Sequence, residues 1–246
     1  MPALTHGHRR SDRPLRVGHK GAGHIEPGNT FASFRAALAH GVDMIELDVI
    51  AENVDGSGAL LLAHDWDDAA QRRPRPHTLA EGLAHLAGSD YDSIDLIVDL
   101  KGTGHEERVA AALHEHGLAE RVLVSTTEGS SLTLLRARHP ELTLGWSLPR
   151  MHRNPLYNPV TAMPAVAVLL YVRRALPRVV ANRIRRGEID ALMAHWRLVT
   201  ADLAEAIGDA GGELYAWTVD DAKRIAALGR LGVTGVISND PRLFGP

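Results

Sequence analysis

The sequence predicts an α/β fold, a TIM (β/α)8 barrel, because short apolar runs alternate with longer stretches of helical period along the chain. A length of 246 residues is also common for one such barrel. Eight apolar runs are predicted strands, the number that closes a barrel: residues 16–18, 44–49, 96–100, 122–125, 142–147, 191–195, 214–217 and 235–238. We therefore expect 1–246 to form a single domain, with 1–14 as a flexible tail.

The first predicted helix illustrates the helical stretches. It begins at Thr30, and Phe31, Phe34, Ala37 and Leu38 share one face. Gly41 is suited to end it. The pattern predicts an outer helix that packs its apolar face on the sheet.

A small insertion is predicted after the second strand. The sequence NVDGSG at 53–58 has the composition of a turn, and an apolar run follows at 59–63. We expect this run to return beside the second strand and to carry the chain to His64.

Composition and charge exclude several classes of site and partner. The net charge of -3 gives no general attraction to nucleic acid. The absence of cysteine excludes disulfides, thiolate metal sites and cysteine nucleophiles. The N-terminus is polar and basic without an apolar core, so we expect a cytoplasmic protein without a secretory signal.

The segment 154–186 differs from the rest of the chain, because it begins with proline and asparagine and then becomes apolar and rich in arginine. Its most apolar part, 162–172, is shorter than the roughly 20 residues that a spanning helix needs. We interpret it as the outer helix after the fifth strand, extended and bent at Pro177. The alternative is membrane-surface or partner contact through 160–186.

Charged side chains collect at the carboxyl ends of the predicted strands, which in a barrel face one shared mouth. Glu46 and Asp48 lie two residues apart on one strand, so they point the same way and repel each other. A positive charge should lie between them. The candidate residues at this mouth are His19, Lys20, Glu46, Asp48, His64, Asp99, Lys101 and Trp217.

This set of side chains indicates metal-assisted chemistry on a phosphate. Three carboxylates without cysteine favour a hard divalent cation, calcium or magnesium, over zinc. Lys20 and Lys101 can neutralise phosphate charge. His19 and His64 are suited to act as general base and general acid in cleavage of a phosphodiester.

The ordered motifs resemble those of the glycerophosphodiester phosphodiesterases, a family of TIM barrels related to phospholipase C. The resemblance extends from Val17 to Pro241. The motifs that carry it are HKG at 19–21, PGNT at 27–30, ELD at 46–48, HD at 64–65, DLK at 99–101, AWTVDD at 216–221 and GVISNDP at 235–241.

The resemblance implies hydrolysis of a glycerophosphodiester to glycerol 3-phosphate and an alcohol, with a divalent cation (Ca²⁺ or Mg²⁺) as cofactor. The implied roles are catalysis for His19 and His64, metal binding for Glu46, Asp48 and Asp99, and substrate binding for Lys20, Lys101 and Trp217. Two other functions stay open. One is a lysophospholipase D at membranes, and the other is a non-catalytic barrel that binds phosphate or lipid.

Three positions depart from the family pattern and favour a divergent substrate. Lys20 stands for the usual arginine, Asp99 for the usual glutamate, and Gly28 for the glutamate of the PENT motif.

Some roles stay open for other side chains at the mouth. Lys101 has two alternatives to phosphate binding, a structural pair with Asp99 and a Schiff base. His195, Ser125 and Thr126 also end predicted strands, and each is a further candidate to face the mouth.

Overall fold

The computed structural model describes residues 13–148 and 159–245, and in 159–169 it describes the backbone alone. The flexible tail predicted for 1–14 therefore lies outside the described residues, apart from Arg13 and Pro14. The same holds for the first side chains of the segment 160–186.

The described residues contain nine β-strands that belong to one sheet. They are β1 (Leu15–Gly18), β2 (Met44–Ala51), β3 (Leu60–Leu61), β4 (Asp95–Lys101), β5 (Val122–Thr126), β6 (Thr143–Leu148), β7 (Ala191–His195), β8 (Glu213–Trp217) and β9 (Gly235–Ser238). All eight predicted strands are present, with ends that differ from the predicted ones by at most two residues.

Eight of these strands close into a parallel barrel in the order β1, β2, β4, β5, β6, β7, β8, β9. The closing contacts are parallel pairings of β1 with β2 on one side and with β9 on the other. The short β3 pairs antiparallel with the end of β2, where Ile50 lies opposite Leu61. The structure thus confirms the TIM barrel and has the predicted small insertion after the second strand.

Eight α-helices complete the described fold. They are α1 (Phe31–Ala39), α2 (Trp66–Gln71), α3 (Leu79–Leu86), α4 (Glu106–Glu115), α5 (Gly129–Arg138), α6 (Pro159–Arg185), α7 (Ala201–Asp209) and α8 (Ala222–Arg230). In α1, Thr30 caps the first turn through a reciprocal pair of hydrogen bonds with Ser33, and Gly41 follows with φ 67°. The sequence pattern therefore located both ends of this helix.

The helix α6 is unusual in its length of 27 residues, which include Pro177 without a break in the helix. Its second half packs on the barrel through Leu176, Val180 and Ile184, all buried. No helix in the part of the chain that the structure describes combines the length and apolar character needed to cross a membrane.

The core has two layers, one between the strands and the helices and one inside the barrel. The inner layer consists of side chains from most of the barrel strands, among them Val17, Met44, Ile97, Leu123 and Tyr215, each fully buried. This packed layer fills the barrel below the carboxyl ends of its strands. A substrate can therefore bind only at the mouth.

Ile97→Ala is expected to lower the free energy of unfolding by about 2–5 kcal/mol, because it leaves a cavity inside the barrel, whereas Ile97→Val costs about 0.5–1.5 kcal/mol. Urea denaturation with an unchanged m-value measures both losses. Val54→Ala is the control, since Val54 is 74% exposed. A loss at Ile97 as small as that at Val54 would contradict the packed interior.

Candidate active site

Three buried carboxylates meet at the mouth of the barrel. Glu46 and Asp48 come from β2, and Asp99 comes from the neighbouring β4, where it lies opposite Asp48 in the parallel register. One carboxylate oxygen of each lies within 4.8 Å of the other two. The alternation along β2 and the register with β4 therefore bring the predicted metal ligands together.

Lys101 balances this negative charge. Its Nζ lies 2.9 Å from Oδ1 of Asp48 and forms a second ion pair with Asp99. Burial acts to lower the pKa of Lys101, but the charges of Asp48 and Asp99 outweigh it and raise the pKa well above its usual value. One of the alternatives for Lys101, the pair with Asp99, is present.

The same charges separate the pKa values of the two acids on β2. Burial, followed by the negative charge of Asp48, raises the pKa of Glu46 well above its usual value. Burial acts in the same direction on Asp48, but the ammonium of Lys101 holds the pKa of Asp48 below its usual range. The repulsion expected from the ExD spacing is therefore a physical feature of the site.

Neighbouring side chains hold the carboxylates in place. The fully buried Asn29 donates through Nδ2 to Oδ2 of Asp48 at 3.0 Å and accepts from the backbone N–H of Asp48 at 3.0 Å. The Ser125 hydroxyl donates to Oδ1 of Asp99 at 2.5 Å, and the backbone N–H of Lys20 donates to Oε2 of Glu46 at 2.8 Å. Each acid is thus oriented before any ligand binds.

The three carboxylates fit a divalent cation. Oδ1 of Asp48 is buried, and the charged group that lies against it is the ammonium of Lys101, at 2.9 Å. An all-oxygen set of three acids suits a hard cation, and the Lys101 ammonium already demonstrates that the cluster attracts positive charge.

His19 follows β1 and is the first member of a chain of hydrogen bonds. Its Nδ1 lies 2.6 Å from Oδ1 of Asn239, and Nδ2 of Asn239 donates to Oδ2 of Asp220 at 2.8 Å. A carboxylate only accepts, so Asp220 orients the Asn239 amide with its oxygen toward His19. Nδ1 of His19 must then carry the proton, which leaves the lone pair on Nε2. Burial lowers the pKa of His19 to about 4.

His64 lies at the end of the insertion and is exposed. Its Nδ1 lies 2.9 Å from Oδ2 of Asp65, and its backbone N–H donates to Asp68 at 3.0 Å. Asp65 also caps α2 through a bond from the N–H of Asp68. The start of α2 therefore orients His64, which lines one cleft together with His19.

The other predicted substrate contacts divide between two parts of the mouth. Lys20 lines the cleft with both histidines, and its backbone has a left-handed φ of 52°. Trp217 lies outside the lining of this cleft and packs edge-on against His195, with ring centroids 5.6 Å apart. The Nε1 of Trp217 is buried and has no hydrogen-bond partner among the described residues.

Of the two further candidates on β5, Ser125 belongs to the carboxylate cluster and Thr126 bonds to the barrel backbone. The Ser125 hydroxyl binds Asp99, and the Thr126 hydroxyl donates to the backbone carbonyl of Leu100 at 3.0 Å. Both side chains are buried; Ser125 orients Asp99, and Thr126 supports the strand β4.

The sequence interpretation missed three residues that position the site. Asn29, Asp220 and Asn239 received no role, although each lies in a quoted motif, PGNT, AWTVDD or GVISNDP. The signal that could have located them is the strand end that each motif follows, because all of these ends meet at the mouth.

Relatives of this chain occur in bacteria and plants. A glycerophosphodiester phosphodiesterase of Caldanaerobacter subterraneus is 25% identical over 261 residues, 93% of this chain and 95% of the relative. Glycerophosphodiester phosphodiesterase GDPD4 of Arabidopsis thaliana is 25% identical over 254 residues, 94% of this chain and 72% of the relative.

Solved structures share the fold. A phosphodiesterase of Oleispira antarctica, in complex with the product sn-glycerol-3-phosphate, aligns with a TM-score of 0.66 at 20% identity and covers 94% of each chain. A glycerophosphodiester phosphodiesterase of Agrobacterium tumefaciens aligns with a TM-score of 0.68, also at 20% identity, over 94% of this chain and 99% of the other.

The family model for glycerophosphoryl diester phosphodiesterases matches residues 19–65 and 87–243, which contain both histidines and all three carboxylates of the site. The chain therefore belongs to the glycerophosphoryl diester phosphodiesterase family.

Proposed function

We propose that this enzyme hydrolyses glycerophosphodiesters to glycerol 3-phosphate and an alcohol in a metal-dependent reaction. The observation that carries the proposal is the arrangement of His19 and His64 along one cleft, beside the three carboxylates at the barrel mouth. The names of the relatives support the same activity, and so does the product bound to the Oleispira phosphodiesterase.

Glu46, Asp48 and Asp99 are the proposed ligands of the cation, which is calcium or magnesium. When bound, the cation would act as a Lewis acid on a phosphoryl oxygen of the substrate. Asn29 and Ser125 hold two of these ligands by hydrogen bonds, so little reorganisation of the carboxylates is needed.

His19 is the proposed general base and His64 the proposed general acid. The hydrogen bond to Asn239 leaves the lone pair of His19 on Nε2, where it can accept the proton of the attacking glycerol hydroxyl. His64 then donates a proton to the departing alkoxide, and the glycerol phosphate is left as a cyclic phosphate. Water opens this ring and gives glycerol 3-phosphate. Lys20 and Lys101 are proposed to contact the phosphate, and Trp217 to line the part of the mouth that holds the organic groups.

The metal ligands are tested by Asp48→Asn, which keeps the shape of the side chain and removes its charge. We expect this variant to lose about 10²–10³ in kcat, as for removal of one preorganised electrostatic contact. Calorimetric titration of the EDTA-treated protein with Ca²⁺ and Mg²⁺ should show weaker binding. Asp202→Asn, at an exposed position on α7, is the control. Full activity in EDTA would contradict metal dependence.

The histidine pair is tested by His19→Ala and His64→Ala, each expected to lower kcat by about 10²–10⁴. Asn239→Ala should lower kcat less and leave KM nearly unchanged, because it frees the His19 ring without removing it. Release of glycerol 3-phosphate from a small panel of diesters measures all three. Full activity of His19→Ala would exclude the proposed base, and binding of diesters without turnover in the wild type would favour a non-catalytic barrel.

A second candidate function is that of a lysophospholipase D at a membrane surface. Three of the five large apolar side chains exposed in the described residues lie on α6: Leu170, Tyr171 and Val179. Arg174 and Arg178 are exposed on the same helix. Apolar side chains mixed with arginine favour contact with an anionic lipid surface. The proposed surface for this membrane contact is the segment 160–186.

Sedimentation with vesicles rich in phosphatidylserine tests this candidate. Tyr171→Ser should weaken binding, and Arg174→Gln should weaken it by about 1 kcal/mol, since each basic residue near an anionic surface contributes about that much. Arg230→Gln, exposed on α8, is the matched control. Failure of the wild type to sediment, together with cleavage of soluble diesters alone, would exclude the membrane role.

A further inference from the structure

A cleft of about 730 Å³ extends from His19 and His64 to the loop between α2 and α3. This is within the range of about 300–1,000 Å³ that pockets for drug-sized ligands have, so the cleft has room for more than glycerol phosphate. On the proposed function, His64 protonates the departing alkoxide, and the alcohol part of the substrate therefore extends along this cleft.

The walls of the cleft are strongly positive. Four basic side chains line it: Lys20, Arg72, Arg73 and Arg75. The lining contains one acid, Asp68. That acid is already used, because Arg72 binds both of its oxygens, at 2.9 and 2.8 Å. The lining thus contains no carboxylate available to bind a cation.

The cleft is equally unsuited to a quaternary ammonium group. No phenylalanine, tyrosine or tryptophan belongs to its described lining, so no such ring is available for a cation–π contact.

Gly28 forms part of the wall, and a Cβ there would lie 2.8 Å from Cβ of Lys20. Lys20 therefore packs where a side chain at position 28 would lie.

Arg73 is a cleft cation with unused donors; Lys20 is another, which the proposed function assigns to the reacting phosphate. Its Nη1 donates to the backbone carbonyls of Ala70 and Arg72, at 3.0 and 2.7 Å. In the described part of the chain, no carboxylate forms an ion pair with Arg73, whereas Glu81 pairs with Arg75. Arg73 is exposed, and its remaining N–H groups can form the fork that suits a phosphate.

This loop lies in residues 66–86, between the two segments that the family model matches. The matched segments contain the histidines and carboxylates, so the arginines belong to a part of the chain that the common family pattern does not describe. A separate segment of this kind can determine which alcohol the enzyme accepts while the barrel performs the reaction.

We propose that the cleft selects glycerophosphodiesters whose alcohol part carries a second anionic group, and that Arg73 binds that group. The inference rests on the proposed function for the direction of the alcohol. It predicts that phosphate on the alcohol improves a substrate and that a positive charge there does not.

The test compares glycerophosphoinositol 4-phosphate with glycerophosphoinositol, which differ by one phosphate, and includes glycerophosphocholine as the cationic substrate. We expect the wild type to prefer the phosphorylated diester in kcat/KM. Arg73→Gln should reduce that preference about tenfold or more, mainly through KM, because a hydrogen bond to a charged group is lost. Arg73→Lys should restore part of it, and Arg230→Gln should leave it unchanged.

Calorimetric binding of the same compounds in EDTA distinguishes this proposal from the proposed function. If no diester is cleaved but Arg73→Gln still weakens binding of the phosphorylated compound, the proposed function fails and the anion site stands. Equal kcat/KM for the two inositol diesters, a preference for glycerophosphocholine, or an unchanged preference in Arg73→Gln would overturn the anion site. Inorganic phosphate that binds as tightly as the phosphorylated diester would indicate a free-anion site instead.

Discussion

The mouth of the barrel depends on the mutual repulsion of three buried carboxylates. Parallel pairing of β2 with β4 places Asp99 opposite Asp48, and the strand period adds Glu46 on the same side. Such a cluster is stable only with compensating charge and hydrogen bonds, since an unpaired buried charge costs several kcal/mol. Lys101 and Asn29 supply part of this compensation, and a divalent cation held by the three carboxylates would add to it.

The main chain near the three carboxylates also helps to compensate their negative charge. Lys20 has a left-handed backbone, which directs its N–H to Glu46, and Asn29 has φ 58° where its amide clamps Asp48. Such conformations are uncommon outside glycine and persist where the surroundings hold them. The loop between β1 and α1 thus bears local strain at two residues, and both acids on β2 are hydrogen-bonded as a result, a preorganisation that suits binding of charge.

Sequence periodicity predicted the barrel well because each strand and helix has its own apolar pattern. Glu46 and Asp48 were predictable for the same reason, since both lie on one strand. Asn239 and Asp220 were not, because Asn239 reaches His19 only after β9 closes against β1, and Asp220 acts through Asn239. Long-range pairs of this kind have no local pattern. Trp217 shows the converse, since its position at a strand end was correct but did not reveal that it packs on His195.

On the proposed roles, the side chains that perform the reaction and those that recognise the alcohol lie on different parts of the fold. His19, the three acids and Lys101 lie on barrel strands or directly after them, where packing of the inner layer fixes their positions to within small displacements. Arg72 and Arg73 lie on a loop anchored to the barrel by the bond from Arg72 to the carbonyl of Gly28, at 2.8 Å. Gly28 also packs against the side chain of Lys20, so the loop and this lysine share one support. A change of loop sequence can therefore alter the accepted alcohol while the carboxylates keep their geometry.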